Sequence, residues 1–259
     1  MDTIISDQDL AIKLADAADE ISLARFRALD LKVETKPDSS FVTDADRAVE
    51  ARLRAILERY RPEDAIFGEE FENTKTANRT WIIDPIDGTA NYLRGIPIWA
   101  SLIALRVDDE ITTSVVSAPA MKRRWWAQRG NGAYTSELNG STRILEVSRI
   151  SSVENASVSY NSLQLWDQAG KLDELVQLSR KVWRARAFGD FLSYMYLAEG
   201  SLEMVSEHDL KLYDIAALVP IVEEAGGKFT ALDGPLTASS SSVLASNGIL
   251  HERFQELLS

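Results

Sequence analysis

Trp81-Ile-Ile-Asp84-Pro-Ile-Asp87-Gly-Thr89 is the stretch on which the reading of this chain turns. Its three leading apolar residues read as a buried strand, and that strand runs into two carboxylates separated by a proline and an isoleucine. The proline stiffens the backbone, so Asp84, Asp87 and the carbonyl of Ile86 can converge on one side. Two close carboxylates repel unless a cation lies between them, and hard divalent ions such as magnesium prefer oxygen donors of this kind. Gly88 and Thr89 then open a helix whose free N–H groups and positive dipole end suit a phosphate. Asp-Pro-x-Asp-Gly is also a turn sequence, and only its exit from a buried strand favours the ligand reading.

Working outward, apolar residues recur at helical spacing over Asp7–Ala28 and Asp44–Tyr60, which predicts two helices, with Thr43 or Asp44 capping the second. Lys36-Pro-Asp-Ser-Ser between them is a turn. Ala65-Ile-Phe is a short strand that stops at Gly68-Glu69-Glu70, where the acids are either a solvated turn or further ligands. Residues 98–134 alternate strands (Trp99–Leu105, Ile111–Ser117, Arg124–Gln128) with turns, predicting an antiparallel sheet. The second half predicts a helix at Gln168–Arg180, a strand at Val182–Arg186 and a helix at Asp190–Ala198. A strand at Leu202–Val205, a helix at Leu212–Ala225 stopped by Gly226-Gly, a strand from Val243 and a last helix at Ile249–Leu258 follow. Asp214 stands in the apolar opening of one of these helices, where it serves as a cap, a ligand or both.

Composition narrows the chemistry. With 259 residues, 45% of them hydrophobic, the chain can bury one substantial core, expected here as one domain over residues 1–259 with lobes near 1–150 and 151–259. It contains no cysteine and two histidines, His208 and His251, so disulfides, thiolate nucleophiles and zinc–thiolate sites are excluded. Both histidines lie outside the acidic motifs; His208 reads as a solvated loop residue, with a substrate contact as the alternative because it is close in sequence to Asp214. A net charge of −12 repels polyanions, so nucleic-acid binding is not expected, and Arg123-Arg-Trp-Trp reads as a core-packed strand. No apolar run spans a bilayer and no signal sequence opens the chain, which predicts no membrane partner and a cytoplasmic location.

Glu69-Glu70, then Trp81 to Thr89 with Ala90-Asn91, then Tyr213-Asp214-Ile-Ala-Ala followed by Glu224-Ala-Gly-Gly, resemble the ordered signatures of the inositol monophosphatase family. The resemblance implies a layered αβαβα fold, an α/β–α+β sandwich like that of fructose-1,6-bisphosphatase, and a dimeric, magnesium-dependent phosphomonoesterase acting on a small phosphorylated metabolite. It implies that Glu69, Asp84 and the Ile86 carbonyl hold one magnesium, that Asp84, Asp87 and Asp214 hold a second, and that Asp46 supports a weaker third through water. Glu69 and Thr89 would orient the attacking water, with Asp87 in the catalytic group and Lys36 nearby. Asp46 reads equally as a first-turn helix acid. Ala90, Tyr92 and Tyr213 depart from the family's usual residues without removing a ligand.

Ala28 to Asp38, Val42 to Glu50, Arg123 to Ala127 and Trp183 to Tyr194 are similar to the histidinol-phosphatase branch of that family, which implies L-histidinol phosphate as substrate and a place in histidine biosynthesis. Its ammonium and imidazole need acceptors beside the phosphate site. Asp190 and Glu207 are the candidates, Asp190 also being placed to cap its helix, while Arg186 pairs with Asp190 or approaches the substrate. Asp87, Gly88, Thr89 and Asp214 complete the substrate-binding set. Inositol 1-phosphate is the alternative substrate, ahead of 3′-phosphoadenosine phosphate and fructose bisphosphate, and a catalytically idle metal- and phosphate-binding regulator is the alternative of another class.

Overall fold

A computed structural model describes residues 5–37, 40–136 and 140–259. Met1 to Ile4 of the N-terminal stretch and Asp38 and Ser39 of the turn after Lys36 lie outside the described residues. In chain order the elements are α1 (Asp7–Arg25), β1 (Val33–Thr35), β2 (Phe41–Thr43), α2 (Asp44–Tyr60), β3 (Ala65–Gly68), β4 (Arg79–Asp87), α3 (Thr89–Leu93), β5 (Ala100–Val107), β6 (Glu110–Ala118), β7 (Arg123–Gln128), β8 (Ala133–Ser136) and β9 (Thr142–Ile144). The second half adds β10 (Ser157–Tyr160), α4 (Leu163–Gln168), α5 (Leu172–Ser179), β11 (Arg184–Arg186), α6 (Asp190–Ala198), β12 (Met204–His208), α7 (Leu212–Ile215), α8 (Leu218–Glu224), β13 (Lys228–Ala231), β14 (Ser242–Ser246) and α9 (His251–Leu258).

Strands β3 to β9 form a seven-stranded sheet in sequence order, antiparallel except for the parallel β3–β4 pair. A five-stranded sheet has the order β11-β10-β12-β14-β13. Both sheets are covered on both faces, which is why strands such as β4 and β5 carry long apolar runs rather than a strict alternation. In β4, Trp81 and Ile83 face α1 and α2, packing on Leu10, Leu14, Val49 and Leu53, whereas Ile82 faces the opposite core with α6, α8 and the second sheet. In β12, Val205 joins that central core while Met204 packs with Trp166, Leu175 and Phe254 of α4, α5 and α9. The layers are therefore helix, sheet, helix, sheet, helix. Burying one large apolar side chain contributes about 1.5–3 kcal/mol, and Trp81, Trp125 and Trp166 are each fully buried.

Several boundaries differ from the sequence expectation for local reasons. α1 stops at Arg25 because Phe26 turns extended and Arg27 takes φ 62°. The helix expected over 168–180 forms as the shorter α5, and an unanticipated helix, α4, precedes it, the two being separated at Gly170 with φ 69°. The helix expected over 212–225 breaks between Ile215 and Leu218. Pro220 explains the break, since it cannot donate the amide hydrogen bond that would join the two segments. Strand β11 begins at Arg184 rather than Val182, and β12 runs on to His208. The β1–β2 hairpin, β10 and β13 had no strong periodicity, being three or four residues long. α2 is capped by Thr43, whose hydroxyl accepts from Ala45 and Asp46 amides while Asp46 answers the Thr43 amide.

Candidate active site

The two aspartates of β4 would point to opposite faces of a regular strand, because side chains alternate and the pair is three residues apart. The pairing of β4 with β5 shows how this is avoided. Asp84 pairs with Leu102 and Asp87 with Ala100, so β4 carries one residue more than its partner over this interval. The resulting bulge at Pro85-Ile86 turns both carboxylates to one side. Ser101 donates to the Pro85 carbonyl at 2.7 Å and Thr89 donates to the Ile86 carbonyl at 3.0 Å, holding the bulge in shape.

Asp214 arrives from the other half of the chain, at the third position of α7, where its Oδ2 accepts the Lys211 amide at 2.6 Å. It is both a cap and a member of the cluster: ligand-capable oxygens of Asp84, Asp87 and Asp214 all lie within 4.8 Å of one another. Glu69 follows β3, parallel to β4, and its charge acts on both Asp84 and Asp214. The Lys36 ammonium meets Glu69 at 2.8 Å and Glu70 at 2.7 Å. Asp46 is fully buried, with Oδ2 on Thr43 and Oδ1 3.4 Å from the Thr89 hydroxyl. The helix-acid reading of Asp46 is thus realised, and the same carboxylate also reaches Thr89.

Asp87, Asp190, Glu207, His208 and Asp214 line one cavity of about 210 Å³. The Phe191 amide donates to Asp87 at 2.8 Å, and Asn91 donates to Asp190 at 2.8 Å. Asp190 does not cap α6; it stands in the left-handed region at φ 49°, beside Gly88 at φ 81°. A Cβ on Gly88 would lie 2.9 Å from the Ile98 carbonyl and 3.2 Å from Asp190 Oδ2, so the close approach requires glycine. Glu207 is 2% exposed; one carboxylate oxygen accepts from Tyr194 at 3.2 Å, and the other has no partner among the described residues.

Burial is the leading cause of the raised carboxyl pKa values, and neighbouring carboxylates add to it at each of these groups except Asp190. Asp84 and Asp87 are pushed well up, Asp214 up to about 7, Glu207 up to about 8, and Asp46 and Asp190 up to about 6. So many acids in so little space demand positive charge, and the donors are all oxygen. The residues fit magnesium, which takes carboxylate, carbonyl and water oxygens.

Two sequence expectations are corrected. Arg186 is exposed on β11, donates to the Ala185 carbonyl at 2.7 Å, and neither pairs with Asp190 nor lines the cavity. His208 is no solvated loop residue: it is 4% exposed at the end of β12, with Nδ1 on Ser242 at 2.8 Å and its ring edge-on to Trp166. Tyr194 and Asn161 also line the cavity and were not anticipated. Tyr194 carries only an apolar-helix signal in the sequence, and Asn161 follows a strand too short to mark.

The profile of the inositol monophosphatase family matches residues 6–259. A histidinol-phosphatase of Streptomyces coelicolor is 50% identical over 256 residues, covering 97% of this chain and 96% of that protein. A histidinol-phosphatase of Mycobacterium tuberculosis is 49% identical over 244 residues, covering 94% of each. Among solved structures, the extragenic suppressor protein SuhB of Bartonella henselae superposes with a TM-score of 0.89 at 27% identity, covering 97% of both chains.

Proposed function

The chain belongs to the inositol monophosphatase family, and on that premise we propose that it is a magnesium-dependent phosphomonoesterase hydrolysing L-histidinol phosphate to L-histidinol and phosphate. The observation that carries the substrate is the uncompensated acid opposite the metal cluster, in a chain half identical to a histidinol-phosphatase. Glu207 and Asp190 line the cavity, and no lysine or arginine contributes to the shift of either. A substrate ammonium or imidazolium would pair with Glu207 and draw off the proton that burial holds on it, whereas inositol offers only hydroxyls.

In this reading Glu69, Asp84, Asp87, Asp214 and the Ile86 carbonyl hold two magnesium ions, with Asp46 supporting a third through water. Magnesium, when bound, would neutralise phosphoryl charge and lower the pKa of a coordinated water. The chain's own part is positional and acid–base. Gly88 and Thr89 present the start of α3 to the phosphate, beside Asp87. Glu69 and Thr89 orient the attacking water. The Thr89 hydroxyl lies between the Ile86 carbonyl at 3.0 Å and Asp46 at 3.4 Å, and when its one proton turns from the carbonyl to Asp46 its oxygen is free to accept a hydrogen bond from the attacking water. A homodimer and a cytoplasmic location belong to the same reading. No described helix is long and apolar enough to cross a membrane.

Phosphate release from L-histidinol phosphate and from myo-inositol 1-phosphate, side by side with magnesium and with chelator, tests the proposal. The expected preference for histidinol phosphate is ~100-fold or more, about 2.7 kcal/mol of transition-state stabilisation. Preference for inositol 1-phosphate would replace the substrate and keep the chemistry. Absence of turnover on both, with magnesium binding intact, would leave the idle-regulator reading.

A further inference from the structure

Glu69 sits in a turn, Gly68-Glu69-Glu70-Phe71, that no helix and, beyond Gly68, no strand supports. Its geometry is nevertheless specified, by Glu50 on α2. Glu50 is fully buried, and its carboxylate grips both chain neighbours of Glu69. Glu50 Oε2 accepts the Glu70 amide at 2.7 Å. On the other side the carboxylate lies directly on Gly68: a Cβ there would be 2.0 Å from Glu50 Oε1, so Gly68 is the residue that lets the acid in. Arg54, one turn along α2, donates to Glu50 Oε1 at 2.8 Å and to the Phe71 carbonyl at 3.2 Å, and its guanidinium lies 5.7 Å from the centre of the Phe71 ring. A buried acid is costly unless it is paired and hydrogen-bonded. Here every partner of the acid belongs either to α2 or to the turn that carries Glu69.

We propose that Glu50, with Arg54, is a positioning residue for the metal site: it clamps the Gly68–Phe71 turn so that Glu69 is presented to the Asp84–Asp87–Asp214 cluster at fixed geometry. The proposal rests on the metal-site reading above. The helix is suited to the task because positions four apart share a face: Asp46 reaches Thr89 and Glu50 reaches the Glu69 turn. Without the clamp the turn retains the Lys36 contacts, and those act on flexible side-chain ends rather than on the backbone.

Calorimetric titration of the purified protein with magnesium alone, needing no substrate, separates failure of this inference from failure of the substrate assignment. Outer-shell partners of metal ligands are worth ~10–100-fold in metal affinity, so Glu50→Ala is expected to weaken magnesium binding by ~10–100-fold. Glu50→Gln, which keeps an acceptor for the Glu70 amide and loses the charge pair, falls between Glu50→Ala and the unaltered protein. In turnover, the magnesium concentration for half-activity rises in parallel, while kcat at saturating magnesium and KM for the phosphate ester change by only a few fold. Leu178→Ala, in the outermost helical layer, is the control for simple loss of stability and is expected to leave magnesium affinity unchanged. Should Glu50→Ala not fold, Arg54→Met carries the same expectation. Native magnesium affinity in the folded variants, or a loss matched by Leu178→Ala, would overturn the proposal.

Discussion

Replacing Asp87 by Asn should stabilise the metal-free protein while destroying its response to magnesium. The carboxylates of Asp84, Asp87 and Asp214 offer oxygens within 4.8 Å of one another. Two unit charges at that separation repel by about 3.5 kcal/mol at an effective dielectric constant of 20. Partial protonation relieves part of this, because burial and the neighbouring acids push the native carboxyl pKa values up. A gain of about 2–4 kcal/mol at pH 8 is therefore expected, or about 5–10 °C in Tm for a chain of this size. The amide oxygen of Asn keeps the bond from the Phe191 amide, so little is lost locally. At pH 5 the gain should shrink, since the native acids already hold protons there. Thermal unfolding in chelator at pH 8 and pH 5, then with added magnesium, measures all three quantities. Magnesium should raise the Tm of the parent and barely move the variant, whose phosphatase turnover falls at least ~100-fold. A variant less stable than its parent in chelator at pH 8, or one with an undiminished magnesium shift, would refute the electrostatic reasoning.

Three further outcomes are expected. His251 is buried, bonded to Ser246 and Thr230, and its pKa is lowered to about 4, chiefly by burial. The unfolded chain binds its proton below about pH 6.5 and the folded chain only near 4, so His251 contributes stability in full above pH 6.5. That contribution is lost as pH falls through this window, by about 3 kcal/mol. The difference in urea stability between the protein and a His251→Gln variant, taken at pH 7 and at pH 4.5, isolates this contribution from the opposite slope imposed by the raised acids of the site. A difference that does not shrink at pH 4.5 would overturn it. Gly88→Ala, forcing a Cβ against the Ile98 carbonyl at φ 81°, should cost about 1–3 kcal/mol and abolish activity, read by melting and phosphate release. Glu207→Gln should raise KM for histidinol phosphate by ~10-fold or more through loss of the cation's partner, yet change KM for inositol 1-phosphate by much less. Equal effects on both esters would mean that Glu207 does not select charge.

Local pattern and local chemistry were enough for a good part of this protein. Helical spacing in α1 and α2, the apolar run of β4 into Asp84-Pro-Ile-Asp-Gly, and the antiparallel series from β5 to β7 follow from periods of 3.6 and 2 within a few residues. The acids singled out from their motifs, Glu69, Asp84, Asp87 and Asp214, stand together. The errors came where local signals are weak or ambiguous. Strands of three or four residues carry too little periodicity to register, and an apolar stretch such as 212–225 does not reveal that Pro220 divides it.

Tertiary structure decided the rest. Only the register of β4 against β5 creates the bulge that turns Asp84 and Asp87 to one side. Only the stacking of the two sheets brings Asp190, Glu207 and Asp214 to Asp87, and buries them so that their pKa values rise. Arg186 and His208 exchanged places for the same reason: the arginine falls on a short edge strand facing solvent, while the histidine extends a central strand into the cavity. Sequence spacing sets what each residue can do, but which residues meet across a hundred positions of chain depends on long-range pairing and burial, and those arise only when the layers pack.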